Sequence, residues 1–60
     1  MKIYELKSSL FTFSWKGRRW YKGAFIPMYG QYEIHTYTGD RTTLVSPDME
    51  IDESTLKFQF

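Results

Sequence analysis

Basic and aromatic side chains are interleaved along residues 15–22, the segment best equipped for binding chemistry. Its members are Trp15, Lys16, Arg18, Arg19, Trp20, Tyr21 and Lys22. Lysine and arginine can follow a phosphate backbone while flat rings stack on unpaired bases. In the alternative interpretation the tryptophans pack in the core, and the cations keep an exposed hairpin soluble and unpaired. The segment is therefore predicted to be either a partner-binding surface or a structural hairpin.

A second candidate contact surface lies in the break between strands that Pro27 and Gly30 introduce. Met28 and Tyr29 lie within this break, and Tyr32 follows it. Methionine is adaptable, tyrosine offers a rigid ring with a polar tip, and both are enriched at protein interfaces. These three residues complete the candidate partner-binding set. The alternative is a loop folded over one mouth of a small barrel.

Groups that could perform catalysis or bind a metal do not form a recognisable set. His35 is the only histidine and the chain has no cysteine, so a zinc ligand set is not expected. A calcium loop starting at Asp48 fails on spacing, because Glu53 stands where the turn glycine belongs and Gln59 replaces the bidentate glutamate. The acids of this stretch are interpreted as a solvated edge or an acidic docking strip. We expect no enzyme, no catalytic residue, no cofactor and no metal.

Charge is distributed unevenly along the chain. Residues 1–29 contain six basic residues and one acidic residue, whereas residues 30–60 contain two basic and six acidic residues. The net charge of the whole chain is +1. Dedicated nucleic-acid binders are usually strongly basic, so the six acids favour a protein partner of complementary potential. Self-association of a basic face with an acidic face is a further alternative.

Strands are expected to position these residues, because hydrophobic side chains recur with a period of two and show no sustained period of 3.6. Phe11, Phe13 and Trp15, for example, alternate with Thr12 and Ser14. The pattern predicts strands near residues 2–7, 10–16, 19–26, 31–38, 41–46 and 55–60. A capping serine, a proline and following acids predict one short helical turn near residues 47–50.

The turn at Gly17 sets the register of the first predicted hairpin. A two-residue type II′ turn with Gly17 as its first central residue places Trp15 opposite Trp20. A three-residue loop would instead place Phe13 opposite Tyr21. Since a slip of one residue sends every side chain to the other face, the exposed aromatic residues depend on this register.

The second predicted hairpin has the same type of turn, with Gly39 first, and places Ile34 opposite Val45. Five or six short strands in sixty residues cannot form two full sheets. The prediction is therefore an all-β fold, either a small, strongly bent antiparallel sheet or a partly open barrel. In size, and in the turn before a short final strand, the pattern resembles SH3-like barrels. The acidic-aromatic signature by which SH3 domains bind peptides is absent.

Length and composition predict a single small β domain covering residues 1–60, and we expect this domain to act by binding. The absence of cysteine fits a cytoplasmic location, and no apolar run approaches the roughly 18–20 residues of a membrane helix. We expect a protein-binding module that occupies a surface of a larger partner as inhibitor, adaptor or regulator. Small inhibitors from phages or mobile elements are similar in size. The alternative is a single-stranded DNA- or RNA-binding β barrel that uses residues 15–22, and a third is a homo-oligomer that assembles through its sheet edges.

Overall fold

The computed structural model describes residues 1–59, which form one sheet of five antiparallel strands. The strands are β1 (Phe11–Trp15), β2 (Arg18–Ile26), β3 (Gln31–Thr36), β4 (Thr42–Val45) and β5 (Lys57–Phe58), in the spatial order β4-β3-β2-β1-β5. Two 3₁₀ helices span Ile3–Glu5 and Glu53–Thr55. The predicted all-β fold is confirmed. The sheet is open rather than closed into a barrel, because β4 and β5 lie at its two edges.

The β1–β2 turn consists of Lys16 and Gly17, whose φ angles are 50° and 76°. Positive φ at both central residues is the requirement of a type I′ turn, so the predicted type II′ turn is wrong. Trp15 consequently pairs with Arg18 instead of Trp20. This displacement of two residues is even, so Trp15 and Trp20 still lie on the same face of the sheet, as predicted.

The β3–β4 connection is wider than the predicted two-residue turn. Thr36 donates its N–H to the Arg41 carbonyl at 3.0 Å. Residues 37–40 therefore form the loop and take no part in the pairing of β3 with β4. The Asp40 carboxylate accepts hydrogen bonds from the hydroxyls of Thr36 and Thr38, each at 2.7 Å. Such side-chain bonds stabilise loop conformations that backbone pairing alone would not select.

The core lies against one face of the sheet. Ile34 pairs with Thr43 instead of Val45, again an even displacement, so Ile34 and Val45 share the core face as predicted. The buried hydrophobic residues are Ile3, Leu6, Phe13, Trp20, Ile34, Val45 and Ile51. Three of them lie outside the strands, so the segments before β1 and after β4 cover this face.

The predicted strand at residues 2–7 is wrong. Ile3 and Leu6 are three residues apart and both are buried, which the 3₁₀ helix Ile3–Glu5 achieves because its side chains repeat every three residues. The segment is also tied to the chain after β4. Ile3 donates its N–H to the Met49 carbonyl at 2.9 Å, and Ile51 donates to the Met1 carbonyl at 2.8 Å.

The helical turn predicted near residues 47–50 is a single hydrogen-bonded turn, closed by Met49 N–H and the Ser46 carbonyl at 3.0 Å. The second 3₁₀ helix follows it at Glu53–Thr55, where the Asp52 side chain accepts from Ser54 N–H. The side chain that caps a helix in this region is therefore that of Asp52, and not the serine predicted to cap a turn near residues 47–50. Of the strand predicted at residues 55–60, residues 55–59 contain strand at Lys57–Phe58 alone, and Phe60 lies outside the described residues.

A bulge alters the register between β2 and β3 after Lys22. Beyond it Phe25 pairs with Tyr32, and their rings meet edge to face with centroids 5.0 Å apart. Tyr32 is two residues from the buried Ile34 and so lies on the same face. The bulge therefore brings Phe25 to the core side of the sheet, where it continues the hydrophobic face past the core itself.

Candidate functional site

The sheet divides the ten predicted binding residues among separate environments. Trp15, Lys16, Arg18 and Trp20 lie at the β1–β2 turn, and Met28, Tyr29 and Tyr32 lie at the β2–β3 turn. Arg19 and Tyr21 are on the face opposite the core, and Lys22 lies between the two turns. Because β2 has nine residues, its ends are about 25 Å apart at roughly 3.3 Å per residue. The ten residues therefore form no single surface.

A cleft lies between the β1–β2 turn and the β3–β4 loop, with a volume of about 590 Å³. We call it the cationic cleft. It is lined by Trp15, Lys16, Arg18, Trp20, Asp40, Arg41, Thr42 and Thr43. Four of these residues belong to the set predicted from the sequence. The four from the β3–β4 side were missed, because nothing in the local pattern shows that the two connections lie side by side.

The two tryptophans are largely structural within this cleft. Trp20 is 5% exposed, and its Nε1–H donates to the Trp15 carbonyl at 2.8 Å. The two rings meet edge to face, with centroids 5.5 Å apart. The Lys16 ammonium lies 4.7 Å from the centroid of the Trp15 ring, within the range of a cation–π interaction. Trp20 therefore belongs to the core, and half-buried Trp15 contributes the aromatic wall of the cleft.

Arg18 and Asp40 form an ion pair across the cleft, with Nη1 and Oδ2 3.5 Å apart. The hydroxyl of Thr36, followed by that of Thr38, holds the pKa of Asp40 below its ordinary value, and Arg18 adds a smaller effect. Hydrogen bonds to a carboxylate favour its ionised form. The cleft accordingly keeps one fixed negative charge among its cations.

Arg19 points away from the cleft and is bonded within the protein. Its guanidinium donates to Thr12 Oγ1 at 3.0 and 3.1 Å, to the Thr12 carbonyl at 2.9 Å, and to the Thr55 carbonyl. These contacts join β2 to β1 and to the second 3₁₀ helix. Contact of Arg19 with a partner stays a prediction, and in the free protein the side chain has this structural role.

Tyr21 shares the same face with His35, and their ring centroids are 5.2 Å apart. His35 Nδ1 lies 2.9 Å from the Thr42 hydroxyl. A Cβ atom on Gly23 would stand 2.6 Å from His35 Nε2, so this glycine allows the imidazole to lie against the backbone of β2. His35 is therefore part of a packed polar layer. No cluster of three or more metal-ligating side chains exists within residues 1–59.

Lys22 occupies an intermediate position on the core face. Its ammonium donates to the Leu6 carbonyl at 2.6 Å and lies 4.3 Å from the centroid of the Tyr32 ring. Desolvation, and then the charge of Lys7, lowers the pKa of Lys22. The side chain connects the segment before β1 to the β2–β3 hairpin, and its charge is already engaged there.

The turn end of the β2–β3 hairpin carries the two most exposed large hydrophobic side chains among the described residues, Met28 and Tyr29. We call Phe25, Met28, Tyr29 and Tyr32 the apolar tip. Met28 is 83% exposed, Tyr29 62% and Phe25 45%, while Tyr32 is half-buried against Phe25. The sequence identified three of these residues and missed Phe25, because only the bulge brings it to the face of Tyr32.

The turn that presents the apolar tip is held by its own backbone. Tyr29 and Gly30 donate their N–H groups to the Ile26 carbonyl at 3.1 and 2.9 Å. Gly30 has a φ of 64°, a conformation that glycine adopts at little cost. The exposed side chains of the tip therefore project from a defined turn that already exists in the free protein.

Comparison with protein-family models, with curated proteins and with solved structures found no match to this chain. Within residues 1–59, no helix has the length and hydrophobicity required to cross a membrane.

Proposed function

We propose that this protein is a non-enzymatic protein-binding module that occupies a surface of a larger partner through its apolar tip. The observation that carries the proposal is the exposure of Met28 and Tyr29, at 83% and 62%, on a turn whose side chains lie outside the core cluster. A partner that covered these side chains would recover the free energy of burying them, roughly 25 cal/mol per Å² of apolar surface. An inhibitor, adaptor or regulator would all act in this way.

The chemistry of the tip supports a protein partner. Aromatic residues and methionine are enriched in interface cores, where a few of them supply most of the binding energy. The backbone bonds of the turn lower the ordering cost of association. The ring of Phe25, fixed against Tyr32 by their edge-to-face contact, gives the tip a rigid element, whereas the flexible side chain of Met28 can adapt to the partner.

The arrangement of residues 15–22 gives less support to the nucleic-acid alternative. Single-strand binding requires rings and cations on one continuous surface. Here Trp20 is buried, Arg19 is bonded to Thr12 and Thr55, and Tyr21 faces away from Trp15. We therefore favour the protein partner. The absence of cysteine favours a reducing compartment, so we propose that the two meet in the cytoplasm.

The test uses tagged protein and extracts of the source cells, treated with nuclease. A Met28→Ser/Tyr29→Ser variant removes the two most exposed members of the tip. The matched control is Tyr4→Ser/Leu10→Ser, which alters two exposed hydrophobic residues elsewhere. Circular dichroism and urea unfolding establish that both variants are folded.

We expect the parent and the control to retain one discrete protein, and the tip variant to bind it at least tenfold more weakly, since interface anchors typically contribute 2 kcal/mol or more. Equal retention by all three proteins would refute the role of the tip. Loss of the partner on nuclease treatment would favour the nucleic-acid alternative.

A further inference from the structure

The cationic cleft holds more positive charge than the protein neutralises. Lys16, Arg18 and Arg41 line it, and Asp40 is its one acidic residue. Arg18 is paired with Asp40 at 3.5 Å. Within residues 1–59, neither Lys16 nor Arg41 has a carboxylate within 4.0 Å. The cleft therefore presents two cations that are free to bind an anionic group.

We propose that the cationic cleft binds an acidic peptide segment in extended conformation. Arg41 can hold a carboxylate through two parallel hydrogen bonds, and Lys16 can hold a second one as a point charge. An apolar side chain between them can pack against the edge of the Trp15 ring, whose face the Lys16 ammonium covers at 4.7 Å. The hydroxyl of Thr43, which lies on the same face of the sheet as Ile34, is a further donor for the carboxylates or for the peptide backbone.

The size and position of the cleft agree with this ligand. Its volume of about 590 Å³ lies within the usual range of ligand pockets, about 300–1,000 Å³. The cleft lies between two short connections, so a peptide can cross its open mouth without entering the core. Asp40, bound to Arg18, already shows within the chain how a carboxylate engages a cation of this cleft.

Two features favour a peptide over single-stranded nucleic acid. The Lys16 ammonium already lies over the Trp15 ring at 4.7 Å, so a base could stack there only after displacing it. The ionised Asp40 would repel the regularly spaced phosphates of a nucleic-acid strand. A peptide can place its carboxylates near Lys16 and Arg41 and present a neutral residue beside Asp40.

This site goes beyond the proposed function, because the cleft and the apolar tip lie at opposite ends of β2. The probe is a blocked hexapeptide of alternating glutamate and leucine, and the matched neutral probe replaces each glutamate by glutamine. An oligothymidylate of eight nucleotides is the competing ligand. Binding is followed by NMR titration at low ionic strength, where screening is weak.

The test variant is Lys16→Asn/Arg41→Gln. Asparagine before glycine is favoured in a type I′ turn, which offsets the loss of the contact between the Lys16 ammonium and the Trp15 ring when this charge is removed. The control Lys7→Gln/Lys57→Gln removes the same charge from exposed positions outside the cleft. A Met28→Ser/Tyr29→Ser variant separates this site from the apolar tip.

We expect the glutamate peptide to shift the signals of Trp15, Arg41 and Thr42, and to bind about tenfold more tightly than the glutamine peptide. The cleft variant should lose at least tenfold in affinity, while the control and the tip variant should stay within about twofold of the parent. Three results would overturn the proposal: no shifts in the cleft, equal loss in the cleft and control variants, or tighter binding of the oligothymidylate at the same residues. If the pull-down experiment refuted the role of the apolar tip, the expected results of this peptide titration would be unchanged.

Discussion

Arg18 and Arg19 are adjacent in the sequence, yet the structure predicts opposite consequences of removing their charges. We consider Arg18→Met and Arg19→Met, which keep most of the aliphatic stem and delete the guanidinium. Arg18 has one exposed ion pair, to Asp40. Arg19 donates to Thr12 and Thr55 and connects β2, β1 and the second 3₁₀ helix.

The magnitudes follow from burial and hydrogen bonding. Exposed ion pairs contribute about 0–1 kcal/mol, so Arg18→Met should change the free energy of unfolding by less than about 1 kcal/mol. Arg19→Met leaves the acceptors of Thr12, a residue only 3% exposed, without these donors. Hydrogen bonds to charged groups contribute roughly 1.5–3 kcal/mol each, reduced here because Arg19 is half exposed. We expect a loss of about 2 kcal/mol.

Such a loss is large for a chain of sixty residues, whose total stability is about 3–9 kcal/mol at 0.05–0.15 kcal/mol per residue. It corresponds to a fall in Tm of about 8–16 °C. The assay is urea unfolding followed by tryptophan fluorescence, supported by thermal circular dichroism. Arg19→Lys should recover little of the stability, because an ammonium lacks the planar fork that serves several acceptors. If Arg19→Met proved as stable as Arg18→Met, the structural role of Arg19 would be refuted.

Three further perturbations test other parts of the structure. Lys16→Asn should be more stable than Lys16→Gln by about 0.5–1 kcal/mol in urea unfolding, because both variants lose the contact of the Lys16 ammonium with the Trp15 ring and asparagine adopts the φ of 50° more readily; equal unfolding midpoints for the two variants would contradict the type I′ turn. Gly23→Ala should cost about 1–3 kcal/mol, because its Cβ would stand 2.6 Å from His35 Nε2; the cost should shrink in a His35→Ala background, and equal costs in the two backgrounds would count against the packing described. The pKa of Asp40 is held below its ordinary value by the hydroxyls of Thr36 and then Thr38, so its stabilising effect is complete above the unfolded-state pKa of about 3.9 and is lost as the pH falls through the lower folded-state pKa. An NMR titration should show this depressed pKa, and Asp40→Asn should reduce the acid loss of stability below about pH 4; an ordinary pKa would show that the loop bonds are absent in solution.

The sequence predicted the β fold and the side of the sheet on which most strand residues lie, because side-chain alternation survives even displacements of register. Trp15 and Trp20 share a face, as do Ile34 and Val45, although both predicted turns were wrong. The turn types depended on Lys16 adopting a positive φ and on the carboxylate of Asp40 binding two threonine hydroxyls. Neither the backbone angle nor the side-chain bonds can be deduced from the hydrophobic pattern.

The candidate site was only partly accessible to the same reasoning. Proximity in sequence grouped Arg18 with Arg19, but successive residues of a strand point to opposite faces, so the sheet separates them. The contribution of Arg41 to the cleft depends on two connections meeting in space. Phe25 joins the apolar tip only because a bulge changes the alternation after Lys22. Which residues form each surface therefore depends on the pairing of distant strands and on the bulge in β2, neither of which the sequence pattern shows.

The most direct test of the apolar tip as a protein-docking surface is site-specific photo-crosslinking in the source cells. A benzoylphenylalanine replaces either Tyr29 in the tip or Tyr37, which is similarly exposed, at 55% against 62%, and lies beyond the opposite end of β3. Docking through the tip predicts a discrete, nuclease-resistant protein adduct from position 29 that is absent from position 37. The same adducts from both positions, or an adduct with nucleic acid from position 29, would contradict it.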